Sequence, residues 1–138
     1  MKVVADSMIW VSYFLSPDSF RCQVLEEALS QRVRLFVSDY LIDEVVKAVR
    51  SRLVKGNRYG LRVRLRIKRS TQSVKLPTLI PRHVPGDPND DAIVETAVRA
   101  KADYLVSADQ EVLKLKKVGN VKIITAAEFA RLLGWSPE

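Results

Sequence analysis

Four short apolar runs, separated by stretches of helical period, constrain this chain more than any other feature. Residues 2–5 (Lys-Val-Val-Ala), 33–37, 104–107 and 121–124 read as buried strands. Between them, Phe20, Val24, Leu25, Ala28 and Leu29 in residues 19–31, and Leu41, Ile42, Val45, Val46 and Val49 further on, keep the spacing of one helix face. Met8, Ile9, Val11, Tyr13 and Phe14 form another element, broken by Ser16-Pro17-Asp18. Ile93, Val94, Ala97 and Val98 follow Asn89 and Asp90, either of which can cap a helix, while Val112, Leu113 and Leu115 mark a short one. Thr125-x-x-Glu128 has capping-box spacing and opens a last helix over 126–133, ended by Gly134. Strands alternating with helices imply parallel βαβ units with right-handed crossovers, and such sheets put ligands outside the carboxyl ends of their strands. At 138 residues, with no repeat and no linker, the chain reads as one domain over 1–138.

Several function classes drop out on composition. With 47% apolar and 28% charged residues the chain is neither disordered nor fibrous, and no apolar run approaches the roughly 20 residues of a membrane span. The N-terminus has no charged-then-apolar leader, and the one cysteine, Cys22, cannot form an internal disulfide, so a cytoplasmic setting is expected. Cys22 and the one histidine, His83, are too few for a zinc site. There is neither a Gly-x-x-x-x-Gly-Lys-Ser/Thr loop nor a Gly-x-Gly-x-x-Gly turn, which removes P-loop and dinucleotide-binding readings. Trp10 and Trp135 read as packing residues and His83 as a loop residue in a proline-rich connection running from Leu76 to Pro88, in which Val84 can be extended.

The net charge of +7 is unevenly placed. Between Lys47 and Arg82 stand 12 basic residues and no Asp or Glu, which leaves 11 basic and 16 acidic residues elsewhere, a net of −5. A one-signed segment of this kind attracts polyanions or an acidic partner. Turns are expected at Gly56-Asn57 and Tyr59-Gly60. In residues 61–69, Leu61, Val63, Leu65 and Ile67 alternate with Arg or Lys, a strand pattern; as a helix the same residues form two i,i+4 stripes.

Asp6 directly follows the first strand, Asp109 lies just past the strand at 104–107, and Asp90 and Asp91 open a helix. Glu44 sits in the helix after the second strand. The fold can gather these carboxylates at one edge, where their mutual repulsion would raise their pKa values unless a hard divalent cation resolved it. Asp39, Asp43 and Glu95 read instead as cap-region or solvated helix residues.

The stretch Val3-Val4-Ala5-Asp6-Ser7, with Ile9-Trp10-Val11-Ser12, resembles the opening of PIN-domain proteins. Ser38-x-x-Leu41-Ile42-x-Glu44-Val45, the run from Asp87-Pro88-Asn89-Asp90-Asp91 to Ala97, and Ala102-Asp103-Tyr104-Leu105-Val106-Ser107-Ala108-Asp109 resemble the family's next three motifs, in order. The strand 121–124 with Thr125-x-x-Glu128-Phe129 is similar to its closing strand and helix. The resemblance implies a three-layer α/β/α fold with a central parallel sheet, and a Mg²⁺- or Mn²⁺-dependent nuclease acting on RNA. It puts Asp6, Glu44, Asp91 and Asp109 on the acidic catalytic and metal-binding positions and Ser107 in support. Within the family the chain is similar to VapC-like toxins of toxin–antitoxin systems, which implies a homodimer neutralised by an antitoxin protein. It also favours a helix over 61–73, from which Arg62, Arg64, Arg66, Lys68 and Arg69 would bind nucleic acid. Two departures stand out: Met8 occupies a position that is a small polar residue in many relatives, and 61–73 is unusually cationic. A non-catalytic nucleic-acid-binding or protein-binding PIN module is the alternative.

Overall fold

A computed structural model describes residues 1–52 and 57–136, apart from the Asn57 side chain. The turn expected around Gly56, and the cation Lys55, lie outside the described residues. The elements run β1 (Lys2–Ala5), α1 (Ser7–Leu15), α2 (Phe20–Ser30), β2 (Arg34–Val37), α3 (Asp39–Arg52), α4 (Asn57–Ser70) and β3 (Gln72–Ser73). They continue with α5 (Pro88–Arg99), β4 (Tyr104–Val106), α6 (Gln110–Leu113), β5 (Lys117–Val118), β6 (Val121–Ile124) and α7 (Ala126–Leu132).

Among the described residues the strands form one sheet in the order β3-β2-β1-β4-β6-β5, parallel except for the β5–β6 hairpin. Helices cover this sheet in the expected three-layer α/β/α arrangement. The hairpin turns at Gly119, whose φ of +57° suits a residue without Cβ. The chain moves outward from β1 through β2 to β3, then returns to β4 on the other side of β1. The topological switch point therefore lies between β1 and β4, where such sheets leave a crevice at their carboxyl edge. Register sets Ala5 beside Val106, so the next residues, Asp6 and Ser107, emerge together at that crevice.

The core explains why these runs became these elements. Val3, Val4, Leu35, Val37, Leu105 and Val106 are buried in the sheet, and Leu41, Ile42, Val45 and Val49 put one face of α3 inside. Trp10 is buried, stacked with Phe14 and edge-on to Tyr13, and Trp135 packs against Phe20.

The segment 61–69 is helical, against its local alternation. Val63 and Ile67, four residues apart, are buried at 1% and 0% exposure, whereas Leu61 and Leu65 are exposed at 57% and 42%. One apolar stripe seats α4 and the other faces water, an arrangement a strand with all four residues on one side cannot give. Tyr59-Gly60 is no turn but lies inside α4. Gly60 serves close packing: a Cβ there would stand 3.0 Å from Arg50 Cδ and 3.3 Å from Val46 Cγ1 of α3. Two further differences concern the connection from Leu76 to Pro88. Val84 is buried at a bend rather than in an extended piece, and α5 starts at Pro88, capped by Asp87 instead of Asn89 or Asp90. That cap puts Asp90 and Asp91 in the first turn of α5, about 100° apart around its axis.

Ile67→Ala is expected to cost about 2–5 kcal/mol in urea unfolding, and Leu65→Ala less than about 0.5 kcal/mol. Equal costs at the two positions would contradict the one-sided seating of α4.

Candidate metal-binding acidic site

Asp6 caps α1, and its carboxylate accepts three hydrogen bonds. Oδ1 accepts from the Ile9 N–H at 3.1 Å. Oδ2 accepts from the Ser107 hydroxyl at 2.5 Å and from the Ala108 N–H at 3.1 Å. The group is only 5% exposed, and burial raises its pKa although these three hydrogen bonds and nearby Arg21 oppose the shift. Ser107 links two acids: its Oγ also accepts from the Asp109 N–H at 3.1 Å. Asp109 in turn caps α6, taking the Glu111 N–H at 2.8 Å.

From the other side of the crevice, α3 brings Glu44. Burial lifts its pKa, the charges of Asp6 and Asp87 lift it further, and hydrogen bonds from the Ser7 and Tyr40 hydroxyls pull the other way. Tyr40 also donates to Asn89 Oδ1, which ties α3 to the first turn of α5. Its own pKa is raised by burial first and then by Glu44 and Asp87.

The two neighbouring acids of α5 have opposite fates. Asp90 turns toward Asp109 and Asp87, and burial together with those two carboxylates pushes its pKa up to about 7. Its Oδ2 is buried with no hydrogen-bond partner. Three carboxylates offer one another no donor unless one is protonated, so the site is short of positive charge. Asp91, expected in this site, is not part of it. It is 1% exposed on a different side of α5, and its Oδ1 accepts from the His83 and Val84 N–H groups at 2.6 Å each. Arg82 Nε stands 2.9 Å from its Oδ2 as a counter-charge. Burial raises the Asp91 pKa, but the Val84 and His83 N–H groups, Arg82 and His83 outweigh it and leave the group below its ordinary value.

Asp91 thus anchors a strap over residues 82–87. His83 and Glu95, read from sequence as a loop residue and a solvated one, complete this anchor. Glu95 is 3% exposed, with Oε1 2.9 Å from His83 Nε2 and Oε2 2.8 Å from Arg99 Nε. Gly86, with φ of +83°, turns the strap into Asp87 at the acidic site. The adjacent Asp90-Asp91 pair carried no local signal separating the two roles, although the 100° step per helical residue sends neighbours in different directions.

The donor set suits a hard divalent ion: Asp6, Glu44, Asp87, Asp90 and Asp109 offer oxygens only, and one buried oxygen lacks any partner. Among the described residues no three acids already converge to metal-holding distance. An ion of the Mg²⁺ type keeps several waters and needs only one or two direct carboxylates, so a looser array suffices.

The cationic residues stand apart from this site on α4. Arg64 is paired with Asp43 of α3 at 2.6 Å. Arg66 donates to the Tyr13 hydroxyl at 3.0 Å, and Arg62, Lys68 and Arg69 are exposed. Among the described residues no helix is long and apolar enough to cross a membrane.

A family model described as PIN domain matches residues 2–111. A comparison with curated protein sequences found no match. The crystal structure of PAE2754 from Pyrobaculum aerophilum is similar at 18% identity and a TM-score of 0.63, over 96% of this chain and 88% of that one. So is a chain of the crystal structure of VapBC2 from Rickettsia felis bound to a DNA fragment from their promoter, at 15% identity and 0.63, over 91% of this chain and 98% of that one.

With Asp90 raised to about 7, the folded state holds a proton that the unfolded chain releases near pH 4. Stability in EDTA should therefore fall as pH rises from about 4 through 7. Asp90→Asn should flatten that slope and raise Tm at pH 7.5 by roughly 4 °C or more, about 1 kcal/mol. Mn²⁺ should raise the Tm of the wild type more than that of the variant. A variant less stable than the wild type at pH 7.5 in EDTA would contradict the charge shortage.

Proposed function

This chain belongs to the PIN domain family, and on that premise we propose that it is a divalent-metal-dependent endoribonuclease. The observation that carries the proposal is Asp90: a carboxyl held near neutrality between Asp87 and Asp109, with a buried oxygen that no donor satisfies. Such a group at the carboxyl edge of a parallel sheet is built to receive a cation. Asp6, Glu44, Asp90 and Asp109 would hold Mg²⁺ or Mn²⁺. When bound, the ion supplies water activation and charge neutralisation for hydrolysis of a phosphodiester.

The chain's own groups have separable tasks in this reading. Ser107 and the Ala108 and Ile9 N–H groups keep Asp6 oriented and favour its ionised form. The Ser7 and Tyr40 hydroxyls do the same for Glu44. Asp91 replaces no ligand; it holds the strap that delivers Asp87. No side chain is asked to act as a covalent nucleophile, and positioning and electrostatics supply the rate. Arg62, Arg66, Lys68 and Arg69 of α4 would attract the RNA, with Arg64 withdrawn into its pair with Asp43.

The same reading makes the chain a cytoplasmic, homodimeric VapC-like toxin with an antitoxin partner. Its support is the family and the fold shared with a chain of VapBC2.

Labelled single-stranded and structured RNAs incubated with Mg²⁺, Mn²⁺ or EDTA test the activity. Cleavage should require metal, and Asp6→Asn or Asp90→Asn should lower it on the order of a hundredfold or more. Asp91→Asn should instead lower Tm and leave the rate per folded molecule within a few-fold. Absence of wild-type cleavage with both ions, while RNA is still bound, would reassign the chain as a binding module.

A further inference from the structure

Helix α4 carries six cations and no carboxylate. Arg62, Leu65, Arg66 and Arg69 fall at i, i+3, i+4 and i+7, a single stripe along it. That stripe borders a cavity of about 300 Å³ between α4 and the end of α1, also lined by Phe14 and Tyr59. The volume is at the low end for small-ligand sites, which run roughly 300–1,000 Å³. Among the described residues no carboxylate pairs with Arg62, Arg66 or Arg69. Arg66 is steadied instead by the Tyr13 hydroxyl at 3.0 Å and lies 5.9 Å from the centre of that ring. A larger cavity between α3 and α4, about 470 Å³, differs in that its Arg64 is already neutralised by Asp43.

We propose that this groove is a subsite for an unpaired nucleobase of single-stranded RNA, seated against Phe14 and Leu65 while Arg62, Arg66 and Arg69 hold the flanking phosphates. Aromatic and apolar surface rimmed by guanidinium groups is the chemistry that grips single strands: bases stack and cations track the backbone. A base inside a duplex has no free face to offer, so the groove selects unpaired RNA. Its place along the strand follows from α1, which begins at the acidic site with Asp6 as cap and ends at the groove. Phe14 lies eight residues beyond Asp6, about 12 Å along the helix axis, so the base held is a few nucleotides from the bond cut. The proposal rests on the ribonuclease reading above, and its test is made without turnover.

Fluorescence anisotropy in EDTA would compare a labelled 12-nucleotide RNA with an abasic ribose-phosphate strand of the same length. The wild type should prefer the RNA by about tenfold or more. Phe14→Ala should lose that preference. Because Phe14 also packs on Trp10, the exposed Leu65→Glu serves as a second variant and should lose it too. Arg62→Ala with Arg69→Ala should weaken both strands alike and lower the salt slope by about 0.7 per phosphate contact removed. Equal affinity for the two strands in the wild type would overturn the proposal, as would a preference surviving in Leu65→Glu. Displacement of the RNA by a polyglutamate peptide as effectively as by unlabelled RNA would overturn it in favour of an acidic protein segment. Cleavage assays keep the two readings apart. Base-dependent binding without cleavage removes the nuclease and spares the subsite, and metal-dependent cleavage with unchanged binding in the variants does the reverse.

Discussion

The arrangement depends first on one carboxylate placed where β1 and β4 part. Asp6 takes hydrogen bonds from α1, from Ser107 and from the Ala108 backbone, so a single side chain joins the ends of two central strands to the first helix. Burial opposes its charge and the donors restore part of it. The consequence is a fixed, partly destabilised acid at the switch point, around which Ser107 and Asp109 are already linked by hydrogen bonds. A scaffold that keeps like charges close must hold them rigidly, because each would otherwise rotate into water. Here caps perform that duty: Asp6, Asp87 and Asp109 each spend an oxygen on a helix N-terminus. The same hydrogen bond that starts the helix orients the acid, and the positive end of each helix eases the charge.

The second level of support is the strap. Asp91 binds two successive backbone N–H groups and faces Arg82, and Glu95 is shared between His83 and Arg99. Asp91 and Glu95 are buried and each faces a cation, so α5 presents two different surfaces within one turn. One is an anchor in which Arg82 balances the charge of Asp91, although Asp91 Oδ2 makes no hydrogen bond, and the other is Asp90 among carboxylates. Asp90 lacks the counter-charge that Arg82 gives Asp91.

Much of this was legible in the sequence, and the misses have physical causes. The strands at 2–5 and 121–124 and the Thr125–Glu128 capping box follow from local pattern and stand as read. The two-residue strands β3 and β5 escaped because such short pairings draw on neighbouring backbone rather than on their own side chains. Alternation in 61–69 imitated a strand because α4 buries only Val63 and Ile67 and exposes the other two apolar residues. Gly60 looked like a turn because close helix packing and turn formation both favour a missing Cβ. For the site, Asp6, Glu44 and Asp109 were legible by position at strand ends or on the following helix. Which of Asp90 and Asp91 faces the crevice is beyond local pattern, since it depends on the start of α5 at Pro88.

Charge separation gives the last step. The cations of α4 do not neutralise the acids of the crevice; Arg64 pairs with Asp43 on the surface of α3, and Arg62 and Arg69 face solvent. A polyanion is therefore drawn to one side of the molecule and repelled at the other, with α1 spanning the interval between Phe14 and Asp6. On the proposed reading this makes the divalent ion a condition of substrate entry as well as of hydrolysis. Without it the strand can be held at α4, but its next phosphates meet Asp6, Glu44, Asp90 and Asp109 uncompensated. A bound divalent ion would offset part of that charge and so ease the approach of a phosphate to the crevice. Separating the two fields costs the fold the stability that acid–cation pairing would have given, and leaves each field able to act on a ligand.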